Sequence, residues 1–106
     1  MYASVRQYRQ DAGSIDALAR RVEGEFAPAL AQEPGFVSYQ AIDCGDGTIV
    51  TISVFRDRAG AEESNELAAQ WVAESLEEYA LTRVAVMNGE VLVGRTNSEP
   101  LAPAER

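Results

Sequence analysis

Histidine and lysine are absent from this chain of 106 residues, and all nine basic residues are arginine. Without an imidazole there can be no Ser-His-Asp or Cys-His catalytic arrangement, and no imidazole ligand for zinc or haem iron. Without an ε-amine, Schiff-base chemistry, pyridoxal phosphate attachment and a P-loop lysine are all excluded. Cys44 is the only cysteine, which removes intrachain disulfides, zinc–thiolate sites and a C-x-x-C redox pair. A metal would have to rest on carboxylates and carbonyls, and the chain has no D-x-D-x-D-G loop. No metal site and no cofactor are therefore expected. Long apolar runs are missing too, so no membrane span is expected. Met1 to Arg9 is too polar for a signal peptide, and the expected compartment is the cytoplasm. Nine basic residues against seventeen acidic ones give a formal charge of −8. That balance repels phosphate backbones and anionic lipid, so neither nucleic acid nor membrane is expected as a partner.

With 46% hydrophobic and 25% charged residues the composition is that of a globular protein, and the length predicts one domain. A chain of this size hides roughly two thirds of its unfolded surface and has little stability in reserve, which raises the question of a partner subunit.

Tyr2–Arg9 reads as a first strand, ended by Asp11-Ala12-Gly13-Ser14, with Ser14 as a helix N-cap. Ile15, Leu18, Ala19, Val22, Phe26 and Leu30 follow at three- and four-residue spacing and predict an amphipathic helix. Pro28 has no amide hydrogen for the Gly24 carbonyl, so a kink or an early end is expected there. Glu33-Pro34-Gly35 turns the chain. Phe36–Asp43 and Thr48–Phe55 read as strands joined by the glycine-rich turn Cys44-Gly45-Asp46-Gly47, an antiparallel hairpin.

A second helix is predicted from near Asp57 to about Tyr79. Ala61, Ala68, Val72 and Tyr79 fall within about 20° of one line, Asn65 and Leu76 lie to one side, and Ser64, Trp71 and Ser75 to the other. Glu62, Glu63, Glu66, Glu74 and Glu77 occupy the opposite half, a solvated face rather than a metal site. Val84–Arg95 predicts a fourth strand bent at Asn88-Gly89. Residues 1–96 are read as one domain and 97–106, with two prolines and no periodicity, as a C-terminal tail.

The order β-α-β-β-α-β predicts an α+β, ferredoxin-like fold: a four-stranded antiparallel sheet with two helices on one face. Neither Thr48-Val50-Ile52-Val54 nor Ile49-Thr51-Ser53-Phe55 is a plainly water-facing set. A sheet with one wet face should alternate cleanly there. A second copy covering that face, sheet against sheet, gives an expected homodimer.

With Tyr2-Ala3-Ser4-Val5-Arg6, Phe26-Ala27-Pro28, Glu33-Pro34-Gly35-Phe36, Asp46-Gly47, Ser53-Val54-Phe55-Arg56-Asp57 and the Asn65…Trp71 helix, residues 2–95 resemble the antibiotic-biosynthesis-monooxygenase-like (ABM) domains of the dimeric α/β-barrel superfamily. The resemblance implies a monooxygenase-like protein acting on or binding a small aromatic, quinol- or anthrone-like molecule. In such oxygenases the deprotonated substrate itself reduces oxygen, while the protein supplies a dry aromatic pocket and geometry. The alternative is a non-catalytic ligand-binding or structural homodimer. Haem-degrading relatives use a histidine ligand, which this chain lacks.

The resemblance implies Asn65 and Trp71 as catalytic-site residues, Asn65 orienting a substrate hydroxyl or an oxygen intermediate. Read by themselves, Asn65 more often bonds a backbone carbonyl and Trp71 is more often core. Tyr8, Tyr39, Arg6 and Val72 are the expected substrate-binding residues, the phenols offering hydroxyls and Arg6, Arg56 or Arg95 holding an anionic enolate. Cys44 lacks a basic neighbour to activate it, and Glu23 and Glu25 read as surface residues.

Overall fold

In the computed structural model, which describes residues 1–96, the chain runs β1 (Tyr2–Gln10), α1 (Ile15–Arg21), a π-helical turn (Val22–Phe26), α2 (Ala27–Ala31), β2 (Phe36–Gly45), β3 (Thr48–Phe55), α3 (Arg58–Ser75), a 3₁₀ turn (Glu77–Tyr79) and β4 (Leu81–Glu90). The four strands form one antiparallel sheet in the order β2-β3-β1-β4, with the helices against one face. This is the expected ferredoxin-like arrangement. The reading of residues 97–106 as a tail lies outside the described residues.

Ser14 caps α1 by accepting the Ala17 amide at 3.0 Å. The helical rod does not end at Pro28 but runs on to Ala31. Its hydrogen bonding widens by one residue over Val22–Phe26, where the Ala27 amide donates to the Val22 carbonyl. Pro28 then falls in the first turn of α2, where a missing N–H costs least. The β2–β3 hairpin turns on Asp46 and Gly47, at φ 52° and 77°, the positive values of a tight primed turn. A Cβ on Gly47 would stand 2.8 Å from the Gln10 carbonyl oxygen, so glycine is required there.

The limits of α3 and of β4 move, for one reason. α3 is capped by Asp57, whose carboxylate accepts the Gly60 amide at 2.8 Å, but it stops at Ser75 rather than Tyr79. β4 begins at Leu81, not Val84, and ends at Glu90, not Arg95. Both changes follow from pairing with β1. Ala80 adopts a left-handed conformation (φ 49°) and its carbonyl accepts the Asp11 amide. Leu81 then pairs with Gln10, and the ladder runs out where Val91 reaches the Met1 carbonyl.

Ile49, Thr51, Ser53 and Phe55 of β3 face the helices and are buried. Thr48, Val50, Ile52 and Val54 point away from them, beside Val5 and Met87 of β1 and β4 and Ile42 of β2. The hydroxyl-bearing parity is thus inside and the aliphatic one outside, which is why neither reads as a wet face.

Two apolar clusters fill the helix side. Tyr8, Leu18, Ile49, Leu76 and Tyr79 form one; Phe26, Leu30, Phe55, Ala61 and Ala68 form the other. Trp71 packs against both. The Glu62, Glu63, Glu66, Glu74 and Glu77 side of α3 is exposed.

Candidate functional site

Arg6 projects from the centre of β1 into the layer between the sheet and α3 and is fully buried, at 0% exposure. Its Nε donates to Thr51 Oγ1 at 3.0 Å and its Nη2 to Ser53 Oγ at 2.6 Å, both on β3. Nη1 donates to Ser64 Oγ at 3.2 Å and to Asn65 Oδ1 at 2.9 Å, both on α3. These acceptors are neutral. Among the described residues the ion pairs are Arg9–Asp11, Arg21–Glu25, Arg21–Glu78 and Arg58–Glu62, so Arg6 has no carboxylate partner. A buried guanidinium without a counter-charge is expensive unless its N–H groups are satisfied, and here hydroxyls and one amide do that work.

The network continues outward. Asn65 Nδ2 donates to Asn88 Oδ1 at 2.8 Å, Ser64 donates to the Ala61 carbonyl, and the single hydroxyl proton of Ser4 is shared between that carbonyl and the Asn88 side-chain oxygen. Arg83 donates through both terminal nitrogens to the Asn65 backbone carbonyl, at 3.3 and 3.1 Å.

Beside Arg6 lies a chamber of about 110 Å³. Leu18, Val22 and Phe26 of the first helical rod, Ala68, Trp71, Val72 and Leu76 of α3 and its end, and Ile49 of β3 wall it with hydrocarbon. Tyr8, Tyr39, Thr51 and Arg6 supply its polar groups, and exposed Ala19, Ala41, Ile42 and Asp43 lie at its mouth between α1 and β2. The π-helical turn carries two of the wall residues, Val22 and Phe26. Phe26 stacks on Trp71 with centroids 5.2 Å apart and meets Tyr39 edge-on at 5.6 Å. Such aromatic contacts set the wall geometry.

Burial pushes the Tyr39 phenol up to about 12, the Arg6 cation offsetting part of the effect. Burial likewise raises Tyr8, against the pull of Arg6 and Arg83. Both phenols are therefore neutral at pH 7 and can donate a proton to a hydrogen bond. Desolvation lowers Arg6, with Tyr8 and Tyr39 acting the other way.

The structure places Arg6, Tyr8, Tyr39, Trp71 and Val72 around one chamber. Asn65 stands one step behind it. Its side chain bonds Arg6 and Asn88 and lines a separate open groove with Glu62, Arg83 and Val86. Arg56 and Arg95 are exposed and do not line the chamber. Cys44 is exposed in the hairpin, and Glu23 and Glu25 are on the surface, Glu25 held by Arg21. The hydroxyl collar of Ser53, Thr51 and Ser64 was not anticipated from the sequence. The signal for it was the shared parity of Ser4-Arg6-Tyr8 and Thr51-Ser53 on neighbouring strands.

The strand order is that of the ferredoxin-like fold, with a chamber between the helices and the sheet. No family model and no curated protein matches the chain. Solved structures do share its fold. They include NE2512 from Nitrosomonas europaea, a protein of unknown function (20% identity, 92% of this chain and 95% of that one, TM-score 0.68). A candidate antibiotic biosynthesis monooxygenase from Deinococcus radiodurans is similar at 16% identity, covering 93% and 100%, with TM-score 0.65. SnoaB, a cofactor-independent oxygenase from Streptomyces nogalater, matches at 21% identity over 92% and 97%, with TM-score 0.58.

Proposed function

We propose that this chain binds a small aromatic, quinol- or anthrone-like molecule in the chamber beside Arg6 and oxygenates it without metal or flavin. The observation that carries the reading is the chamber itself: an apolar, aromatic-walled space with a few polar groups at one side, the usual form of a small-molecule site. Tyr8, Tyr39, Arg6, Trp71 and Val72 contact the ligand, and Asn65 sets the position of Arg6. The fold shared with SnoaB, a cofactor-independent oxygenase, supports the same chemistry.

No external reductant is needed. When the deprotonated substrate is an anthrone its CH₂ becomes a carbonyl, and when it is a quinol a ring C–H becomes the C–OH of a hydroxyquinone; either change supplies four electrons to O₂, one oxygen atom entering the product and the other leaving as water. The protein contributes orientation and exclusion of water.

The aliphatic outer face of the sheet supports a homodimer closed through that face, and the cytoplasm is the proposed compartment. No helix among the described residues is long and apolar enough to cross a membrane.

One observation favours a second reading, a binding protein without turnover. The Asn65 side chain is occupied on both sides by Arg6 and Asn88 and does not line the chamber. Oxygen uptake measured with a panel of quinols and anthrones separates the two. Uptake that falls in Asn65→Ala supports the oxygenase; ligand binding with no uptake from any substrate leaves the binding protein; uptake unchanged in Asn65→Ala removes Asn65 from the mechanism.

A further inference from the structure

We propose that the ligand of this chamber is a single-ring aromatic anion, its oxyanion held by the Tyr8 and Tyr39 hydroxyls against the buried charge of Arg6. The proposal rests on the reading of the chamber as an aromatic site and narrows it: of quinol- and anthrone-like molecules it keeps the single-ring type and adds its charge.

The charge of the occupant follows from what Arg6 lacks around it. The guanidinium is fully buried and hydrogen-bonded only to neutral oxygens. The second cation nearby, Arg83, bonds a backbone carbonyl and has no carboxylate partner among the described residues. Neither phenol supplies the negative charge, because burial keeps Tyr8 and Tyr39 protonated. A chain of net charge −8 thus keeps a positive centre uncompensated beside an apolar chamber. In a low-dielectric space that field favours an anion and opposes a cation.

Hydrogen bonding points the same way. Arg6 can only donate, so a Tyr8 oxygen beside it retains its own proton for another acceptor. The Tyr39 hydroxyl makes no hydrogen bond to the described residues, yet it is not sealed away as an orphaned buried atom. Two phenolic donors with a cation behind them form an oxyanion site.

The other groups facing the chamber do not cancel it. The first helical rod presents Ile15, Leu18, Ala19, Val22 and Phe26, and α3 presents Ala68, Trp71 and Val72, none of them charged. From β2 the carboxylate of Asp43 stands at the mouth, engaged with the Gly45 amide at 3.0 Å. Among the described residues, Arg6 is the one cation that lines the chamber.

Size is argued from volume. A chamber of about 110 Å³ is near the roughly 150 Å³ of an apolar cavity that takes up benzene. It holds one ring with a small substituent, not three fused rings.

Trp71 is the only tryptophan and lines the chamber, so its fluorescence reports occupancy. The full chain is titrated with benzoate, benzamide, benzylamine, cyclohexanecarboxylate and 9-anthroate. Benzoate is expected to bind at least tenfold more tightly than benzamide, with benzylamine weakest and 9-anthroate weaker than benzoate. Tyr39→Phe, which removes one donor and keeps the ring, is expected to reduce the benzoate preference several-fold; Arg6→Met is expected to abolish it.

A phenolate arm uses 4-nitrophenol, whose absorbance reports ionisation; its midpoint is expected to move to lower pH when bound, as a fixed cation demands. A shift there together with tenfold weaker benzoate would assign a phenolate rather than a carboxylate. Equal affinity for benzoate and benzamide, with no shift of 4-nitrophenol, overturns the anion proposal while the aromatic site stands. Cyclohexanecarboxylate equal to benzoate overturns the aromatic reading and leaves the anion site. Tight 9-anthroate overturns the size limit, and no binding by any compound overturns both.

Discussion

Arg6 on β1 donates to the Asn65 side-chain oxygen on α3 at 2.9 Å, and this bond ties the middle of the sheet to the helix that covers it. The same Asn65 amide donates onward to Asn88 on β4. One asparagine therefore links the buried cation to the sheet edge, and its replacement is felt at both ends. Asn65→Ala is expected to cost about 1–3 kcal/mol in urea unfolding, because it leaves an Arg6 N–H without its acceptor.

Arg6 itself separates charge from shape. Arg6→Lys keeps a buried cation but cannot span the Thr51, Ser53, Ser64 and Asn65 oxygens that the planar guanidinium reaches. Arg6→Met removes the cation and leaves hydroxyls that can turn toward one another. Lysine is therefore expected to destabilise the fold by about 2–4 kcal/mol and methionine by less. The reverse order in chemical denaturation would contradict this account of the network.

Tyr39 gives a pH dependence with a definite sign. Its phenol is pushed up to about 12 in the folded chain, against about 10 when unfolded. Between those values the unfolded chain binds fewer protons than the folded one, so stability falls as pH rises from about 10 toward 12 and is unaffected below. Tyr39→Phe is expected to lose less stability between pH 9.5 and 11.5 than the parent by roughly 1.5–2 kcal/mol, read from urea midpoints at the two pH values.

Gly60 lies in the first turn of α3, where a Cβ would stand 2.7 Å from Cδ2 and 3.0 Å from Cγ of the Phe55 ring. Phe55 is 1% exposed and has no room to withdraw. Gly60→Ala is expected to lower stability by about 1–3 kcal/mol, although alanine is the better helix former by about 1 kcal/mol. A stabilised variant would mean that the ring can shift.

The outer sheet face yields an assembly test. Ile52 points away from the helices and pairs with Val5 and Gln40. If a second copy covers this face, light scattering gives a dimer mass, and Ile52→Asp gives a monomer that remains folded by circular dichroism. A monomeric parent protein removes the dimer.

Much of the fold was legible along the chain because it depends on local rules. Ser14 and Asp57 cap helices, Asp46-Gly47 makes a hairpin, and the helical spacing of Ala61, Ala68, Trp71 and Val72 marks one face. Pro28 did not end the helix, because a π-helical turn ahead of it moved the proline into the first turn of a new helical segment. The ends of β4 misled because they are set by its partner, not by its own residues. Among the candidate site residues, Arg6, Tyr8, Tyr39 and Trp71 could be named in advance as aromatic or donor groups and Val72 from its helical spacing, yet nothing local said that they share one chamber.

By itself, then, the sequence determined which chemistries are closed, through its lack of histidine and lysine, and which elements form, through spacing, caps and turns. Only the tertiary structure decided which parity of β3 lies inward. Alternation along a strand specifies two faces but not which of them meets the helices. That choice followed from burying Arg6, whose donors need Thr51, Ser53, Ser64 and Asn65 from two other elements at once.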